Sequence, residues 1–277
     1  MTHWKLTLAY DGTPFHGWQI QPGLATVQGL LADAIRRTVG ESVLPQGSGR
    51  TDTGVHALGQ VASVTLAAPI PPASLQRALN RCLPPSVRIL SAEAVPPDFH
   101  ARHSALRKTY EYRIFPLCNL SLESRTSNLE RDAICPPTLA PYVWPCPWPL
   151  SLDALSQAAC GVLGTHDFTT FAAADPDLTA RTTEEAPPPP IRTITHSTWH
   201  VHDGLVIYRV TANGFLHHMV RNLVGTFVQA GAQRLLPDSI PALLAARNRA
   251  AAGPTAPPQG LFLVSVEYPA PEPRTNE

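Results

Sequence analysis

Prolines divide this chain more sharply than any other residue type. A proline cannot donate the backbone hydrogen bond that helix interiors and central strands require. Of the 30 prolines among 277 residues, six lie within residues 117–149, and the segment 172–190 ends in four consecutive prolines. Such runs are extended connectors with few hydrogen bonds. We therefore interpret both segments as surface loops inserted into the fold.

Strand and helix patterns alternate before the first of these segments. Alternating apolar residues predict a strand over 4–10, and an apolar face predicts a helix over about 26–39. The remaining elements expected here are a strand after residue 56, a short helix over 74–82 and a strand over 87–95.

The remainder of the chain repeats this theme. Strands are predicted over 110–115 and 261–268, with a hairpin between 193–201 and 205–212. Helices are predicted over 152–163, about 216–230 and near 240–247. Because the elements do not follow a regular parallel β-α-β rhythm, the pattern predicts an α+β fold.

Composition limits the class of protein. With 44% hydrophobic residues the chain can form the core of one large domain or of two ordinary ones. It has no apolar run of membrane-spanning length, and the first residues lack a signal-peptide core, so we expect a soluble cytoplasmic protein. Five cysteines without a C-x-x-C pair favour free thiols over disulfides or a zinc site.

The formal net charge is zero, but the charged residues are unevenly distributed along the chain. Residues 121–185 hold three arginines against nine acidic residues, so the rest of the chain carries a matching positive excess. A basic working surface with an acidic appendage is compatible with RNA binding without requiring it.

The segment 49–56, GRTDTGVH, holds the candidate catalytic carboxylate. Glycines allow a substrate to approach the backbone closely, and Arg50 beside Asp52 favours an ionised, oriented carboxylate. The alternative from composition alone is an ordinary turn capped by an aspartate. A phosphate cradle is disfavoured, because no Lys-Ser/Thr follows at P-loop spacing.

As a string, GRTDTGVH resembles the active-site loop of the tRNA pseudouridine synthase A (TruA) family. Five further blocks resemble that family in the same order along nearly the whole chain. They are YDGTPFHGWQIQ (residues 10–21), DFHARHSALRKTYEY (98–112), HDFTTF (166–171), NGFLHHMVRNLVG (213–225) and GLFLVSVEYP (260–269).

The resemblance implies a specific architecture. We expect two ferredoxin-like (RRM-like) halves that merge into one mostly antiparallel sheet flanked by helices, with the catalytic cleft between the halves. The N-terminal half would comprise residues 1–105, with the Asp52 loop, and the C-terminal half residues 106–277. In this setting the insertions near 117–149 and 172–190 could contact RNA or act as spacers.

The resemblance also implies the function. The expected reaction converts uridines 38, 39 and 40 in the anticodon stem-loop of tRNA to pseudouridine, on a base flipped from the stack. It requires no cofactor and no metal. The family works as a homodimer in the cytoplasm, with one tRNA touching both subunits. Rival interpretations are a non-catalytic RNA-binding protein and an enzyme for another uridine or another RNA.

The family's catalytic residues correspond to Asp52, Arg221 and Tyr110. Asp52 would be the nucleophile, and whether it attacks C1′ of the ribose or C6 of uracil stays open. Arg221 would keep the aspartate ionised, the alternative being a snorkelling surface arginine. Tyr110 would stack on the flipped uracil and help to move the C5 proton, whereas Tyr112 is interpreted as an ordinary strand aromatic.

Arg50, Tyr110 and Leu261 correspond to substrate-binding positions. Arg50 would occupy the gap that the flipped base leaves, or pair with Asp52, and Leu261 would line the uracil pocket or simply the core. His217 departs from the family's frequent arginine or lysine, which puts one phosphate contact in doubt. The histidines at 196, 200 and 202 share a strand face without acidic or cysteine neighbours, so we interpret them as solvated or RNA-facing, not as metal ligands.

Overall fold

The computed structural model describes residues 1–118, 120–121, 133–174 and 189–270. Parts of both proline-rich segments, residues 119, 122–132 and 175–188, lie outside the described residues. The prediction that these insertions contact RNA or act as spacers falls on them and stays a prediction. The chain forms two compact units, each an open, mostly antiparallel sheet flanked by helices. Unit 1 is Met1–Lys108 with Leu263–Glu277, and unit 2 is Thr109–Phe262.

Unit 1 has a sheet with the strand order β4-β1-β3-β12. Strand β1 pairs antiparallel with both β3 and β4, and a two-residue strand, β2, pairs with β3. The elements are β1 (Thr2–Tyr10), α1 (Val27–Val39), β2 (Gln46–Gly47), β3 (His56–Leu66), α2 (Pro72–Cys82), β4 (Val87–Val95) and, far along the sequence, β12 (Leu261–Glu267).

Local sequence explains these elements. In β1 every second side chain from Trp4 to Tyr10 is buried, as expected for a strand with one face on a core. Helix α1 begins at Thr26, whose hydroxyl accepts a hydrogen bond from Gly29 N, and ends at Gly40 in the left-handed conformation with φ of 76°. Its buried residues include Leu31 and Ile35, which place an apolar face against the sheet.

Unit 2 has a sheet with the strand order β5-β11-β10-β9, in which β10 pairs antiparallel with β9 and β11. Its strands are β5 (Arg107–Pro116), β6 (Leu120–Ser121), β7 (Trp144–Cys146), β8 (Leu150–Ser151), β9 (Gly164–Asp167), β10 (Ile191–His202) and β11 (Leu205–Ala212). Among its described residues the α-helices are α3 (Leu152–Cys160), α4 (Met219–Gly231) and α5 (Ile240–Ala246).

One face of the unit 2 sheet carries its helices. Trp199 and Tyr208 lie 4.9 Å apart between ring centroids, and both rings pack against Phe227 of α4. Ser197 on the same face donates to Ala159 O in α3 over 2.8 Å. The opposite face of β10 is exposed at alternate positions. This asymmetry sets which side chains of β10 and β11 are available to a partner.

The α+β prediction and every predicted strand and helix are confirmed, with shifts at their ends. Helix α4 begins at Met219 and not near 216, because His218 adopts the left-handed conformation with φ of 57°. The interpretation of residues 117–149 as a surface loop is wrong for its last part. Strand β7 pairs in parallel with β5, and Val143 and Cys146 are fully buried.

Within the described residues, no helix is both long enough and apolar enough to span a membrane.

Gly225 allows α4 to meet the loop at residues 253–256. A Cβ on Gly225 would overlap with the carbonyl oxygen of Pro254, which is backbone and cannot rotate away. We expect Gly225→Ala to lower the free energy of unfolding by about 2–3 kcal/mol despite the higher helix propensity of alanine.

Urea unfolding followed by circular dichroism measures this effect. The control is Gly29→Ala in α1, where the added Cβ meets only side-chain atoms at 3.0 Å and beyond. Equal stability changes for the two variants would contradict the close backbone approach at Gly225.

Candidate active site

The GRTDTGVH segment forms the connection between β2 and β3 in unit 1. Backbone hydrogen bonds tie it to the block at residues 10–21. Trp18 N donates to Thr51 O over 3.0 Å, and Gly54 N donates to Phe15 O over 3.3 Å. Gly17, with φ of 84°, lies so close that a Cβ would be 2.6 Å from Thr51 O. Two sequence blocks of the resemblance are therefore one structural unit.

Asp52 stands at the turn of this connection. Its carbonyl oxygen accepts a hydrogen bond from Val55 N over 3.1 Å, and Gly54 takes the left-handed conformation, with φ of 76°, that closes the turn. The Asp52 residue is half-buried, and Arg50 two residues earlier is exposed. A half-buried carboxylate on a braced turn is open to a substrate and held in direction, as a nucleophile requires.

Tyr10 supports the loop from inside unit 1. Its hydroxyl lies 2.8 Å from Thr51 Oγ1 and accepts from Gln60 Nε2 over 3.3 Å. Burial raises the pKa of Tyr10 to about 12, an effect that the hydrogen bonds to Thr51 and Gln60 partly offset. The phenol therefore stays protonated at neutral pH and acts as a fixed hydrogen-bonding group next to Asp52.

The residues just before Arg50 are held by a second set of contacts. Gln60 Nε2 donates to Gly49 O over 2.9 Å, while Ser48 Oγ donates to Gln60 Oε1 over 2.6 Å. Lys108 Nζ donates to Ser48 O over 2.5 Å. Ser48 and Gly49 are thus held in place directly before Arg50, and the exposed Arg50 guanidinium extends from this fixed backbone.

His56 closes the block and is 1% exposed. Its Nδ1 accepts a hydrogen bond from Gly12 N over 3.0 Å, which places the proton of a neutral ring on Nε2. Asp11 Oδ1 lies 3.2 Å from the same nitrogen and accepts from Thr13 N and Thr13 Oγ1. The hydrogen bond from Gly12 N to His56 again joins the Tyr-Asp-Gly block to the candidate catalytic loop.

Arg221 lies in the third position of α4 in unit 2 and is half-buried. Its Nε donates to Ala256 O over 2.8 Å, and Ala256 N donates back to Arg221 O over 3.1 Å. These reciprocal bonds fix the guanidinium relative to the backbone of the next loop. The Arg221 side chain is therefore bonded to backbone and only partly exposed to solvent.

A buried polar network holds that loop against α4. The Asn222 side chain is fully buried, and its oxygen accepts from Arg249 Nη2 at 3.0 Å and from Thr255 Oγ1 at 2.7 Å. Its nitrogen donates to Phe171 O over 2.8 Å. Thr226 accepts from Gly253 N over 2.9 Å one turn further along. Every hydrogen-bonding group of this amide side chain but one N–H is used, which makes α4 a rigid support for Arg221.

Tyr110 lies on β5, 8% exposed, with its ring edge-on to Phe215 at a centroid distance of 5.0 Å. Tyr112 is fully buried, and its hydroxyl donates to Pro257 O over 2.7 Å. Burial raises the pKa of Tyr112 well above its ordinary value. Tyr112 is thus a structural strand aromatic, as predicted, and Leu261, 5% exposed, is buried at the start of β12.

His217 holds the segment after the HDFTTF block. Its Nδ1 lies 2.8 Å from Ala174 O, and its carbonyl accepts from Ala173 N over 3.0 Å. The neighbouring ring of His218 lies 3.9 Å away between centroids. In this chain the position therefore makes a local backbone contact.

The structure places Asp52 and Arg50 on one braced loop of unit 1, and Tyr110, Arg221 and Leu261 in unit 2. Sequence reasoning missed the supporting residues, chiefly Tyr10, Gln60 and Asn222. A signal existed for Asn222, which is a polar residue on the apolar face of a predicted helix. Gln60 offered a similar one, as a polar residue inside an apolar strand.

Comparisons with known proteins give one consistent result. A family model described as tRNA pseudouridine synthase matches residues 7–104 and 158–269. A Solibacter usitatus protein named tRNA pseudouridine synthase A is 47% identical over 265 residues, covering 95% of this chain and 98% of its own. Proteins of the same name from Moorella thermoacetica and Rhodopseudomonas palustris (strain CGA009) are 43% and 44% identical, covering 95% and 97% of this chain and 98% and 99% of their own.

We expect Tyr10→Phe to lower the free energy of unfolding by about 1–3 kcal/mol at pH 7, because Thr51 and Gln60 lose a buried partner. The gap to wild type should narrow as pH rises from 10 to about 12. In that range Tyr10 loses its proton in the unfolded state, where its pKa is near 10, but keeps it in the folded state. Deprotonation therefore favours the unfolded state of wild type and lowers its free energy of unfolding, whereas the phenylalanine variant has no such proton to lose.

Urea unfolding at pH 7 and at pH 11 measures both effects. A gap of the same size at the two pH values would show that the folded and unfolded states of Tyr10 share one pKa.

Proposed function

The chain belongs to the tRNA pseudouridine synthase family, and we propose that it converts uridines 38, 39 and 40 in the anticodon stem-loop of tRNA to pseudouridine. The protein is a tRNA-modifying isomerase. The observation that carries the assignment to these residues is the Asp52 loop, whose carboxylate is half-buried on a turn braced by Tyr10, Gln60 and the backbone of residues 15–18.

The chemistry needs one carboxylate. The N1–C1′ bond of uridine breaks, a C5–C1′ bond forms, the proton leaves C5 and a proton is gained at N1, so atoms and electrons balance without an oxidant. Asp52 is the proposed nucleophile, at C1′ of the ribose or at C6 of the ring. Both routes need the carboxylate ionised and fixed in direction, and the hydrogen bonds on either side of the loop support that requirement.

Arg221 is proposed as the cationic member of the catalytic set. A guanidinium keeps its charge at any working pH and stabilises carboxylate charge through directed hydrogen bonds. The hydrogen bond from its Nε to Ala256 O restricts rotation of the side chain, so less entropy is lost when it acts. Removal of Arg221 is expected to harm catalysis more than folding.

Tyr110 is proposed to stack on the flipped uracil and to take part in moving the C5 proton. Arg50, exposed on its rigid base, is proposed to fill the gap that the flipped base leaves in the stem. Leu261 is proposed to line the uracil pocket.

We further propose the larger assembly that the family implies. Each unit would be a ferredoxin-like half, with predicted boundaries at 1–105 and 106–277, and two copies would form a homodimer that binds the anticodon arm of one tRNA. Because its substrate is tRNA, we place the enzyme in the cytoplasm. Neither a cofactor nor a metal enters the proposed reaction.

Asp52→Ala and Asp52→Asn should abolish pseudouridine formation and leave tRNA affinity within a few-fold of wild type, since one carboxylate adds little to binding a polyanion. The assay is carbodiimide derivatisation of an unmodified tRNA transcript, with primer-extension stops read at positions 38 to 40.

The matched control is Asp33→Asn, an exposed helix aspartate that pairs with Arg36 over 2.6 Å. It should retain full activity. Primer-extension stops at wild-type intensity with the Asp52 variants would contradict the role of Asp52 as nucleophile. The absence of stops with wild type would contradict the assignment of positions 38 to 40.

Tyr110→Phe keeps the stacking ring and removes the hydroxyl, so we expect single-turnover rates to fall by about 100-fold or more while tRNA binding persists. Tyr112→Phe is the matched control on the same strand, because it removes a hydroxyl bonded to Pro257 O. The control should lose about 1 kcal/mol of stability and no rate. Equal rates for the two variants would assign Tyr110 a stacking role only.

A further inference from the structure

The face of the unit 2 sheet that the helices leave uncovered carries a row of polar side chains. We call it the outer face, and on β10 it presents exposed residues at alternate positions. Their direct partners on β11 share that face, because opposed residues of an antiparallel pair point the same way. The outer face comprises His196, Thr198, His200 and His202 of β10 with Leu205, Ile207, Arg209 and Thr211 of β11.

Arg209 supplies this face with an available positive charge. It is exposed and lies opposite Thr198, and within the described ranges it makes no ion pair or hydrogen bond. Neighbouring Arg113 is engaged, because Nε donates to Glu111 over 2.8 Å and the guanidinium lies 4.0 Å from the Phe262 ring centroid. His200 also has no recorded partner in the described part of the chain.

A shallow cavity of about 530 Å³ lies on the outer face. Its lining includes the apolar floor of Ile207 and the basic side chains of Arg209, Arg113 and His200. Its two acidic groups are both partnered: Glu111 bonds Arg113, and Asp203 lies 3.3 Å from His202 Nε2. With neutral histidines the two arginines and two carboxylates of the lining balance in formal charge, so the cationic donor offered to an incoming anion is the Arg209 guanidinium, and the imidazole groups of His200 and His202 lie beside it.

We propose that the outer face binds the phosphodiester backbone of the tRNA substrate, an inference that rests on the proposed function. Arginine guanidinium, imidazole N–H and hydroxyl donors suit phosphate oxygens, and such contacts position RNA without reading its sequence. Successive outward residues of β10 stand about 7 Å apart, so the row from His196 to His202 covers about 20 Å, enough for several nucleotides.

The contact belongs to a part of the tRNA other than the reacting uridine. Side chains alternate along β5, so Glu111 and Arg113 lie on the outer face while Tyr110 points to the side of α4. Phosphates bound at Arg209 and a uracil stacked on Tyr110 are thus on opposite sides of this sheet. The outer face of one subunit accordingly serves a remote segment of the tRNA or the tRNA held by the partner subunit.

The test compares Arg209→Gln, His200→Gln and the double variant with wild type, using fluorescence anisotropy at several salt concentrations. The RNAs are an unmodified full-length tRNA transcript and the isolated anticodon stem-loop. For full-length tRNA we expect Arg209→Gln to raise the Kd about five- to ten-fold and to reduce the salt slope by about one. For the stem-loop the Kd should change less than two-fold.

Three controls make every outcome decisive. Arg81→Gln, an exposed arginine on α2, removes the same charge elsewhere and should leave both Kd values unchanged. A full-length Kd within two-fold of wild type for the double variant overturns the proposal. So does a change in sedimentation that shows altered self-association, because the face would then be an interface between copies. Pseudouridine formation by wild type on the same transcript tests the proposed function separately.

Discussion

A single buried amide, Gln60, sets the geometry of the candidate catalytic loop. It lies fully buried on β3, accepts from Ser48 Oγ and Val61 N, and donates to Gly49 O and the Tyr10 hydroxyl. Each hydrogen bond that a buried amide fails to make costs about 1–3 kcal/mol. The four contacts of Gln60 therefore stabilise the same arrangement, and the loss of one destabilises the others. The direction of Arg50 and Asp52 thus depends on a side chain that holds the two residues just before them, Ser48 and Gly49. The loop is short, and its rigidity comes from the strand that follows it.

The second unit uses the same physical device for Arg221. Asn222, the next residue along α4, is also a fully buried amide. It accepts hydrogen bonds from Arg249 and Thr255 and donates one to the carbonyl of Phe171. Together with the glycine contact at Gly225, it brings the loop at 253–256 close enough for Ala256 to bond Arg221 in both directions. In both units, therefore, a candidate catalytic group is half-buried, and a fully buried, uncharged amide close to it in the fold orders the supporting backbone through hydrogen bonds.

The elements of this fold follow from the sequence because their signals are local. The alternation of Trp4, Leu6, Leu8 and Tyr10, and the Thr26 cap before α1, each need only a few neighbouring residues. The supporting network does not follow, because Gln60 and Tyr10 are fifty residues apart and only the pairing of β1 with β3 brings them together. The strand at Trp144–Cys146 does not follow from the sequence for a different reason. A proline predicts against a strand, yet Pro145 lies in a three-residue edge strand, where a missing backbone donor costs little.

Strand β12 completes the sheet of the first unit. Residues 263–267 pair beside β3, more than 150 residues after that unit's other strands have been made, and Gly59 lies where a Cβ would be only 2.5 Å from Val264 O. During synthesis on the ribosome, β3 therefore waits as an open sheet edge while all of unit 2 emerges. A nascent chain in that state is exposed to wrong strand pairing and to chaperones, and a truncation of only the final fifteen residues, 263–277, would leave the unit that carries Asp52 permanently in it.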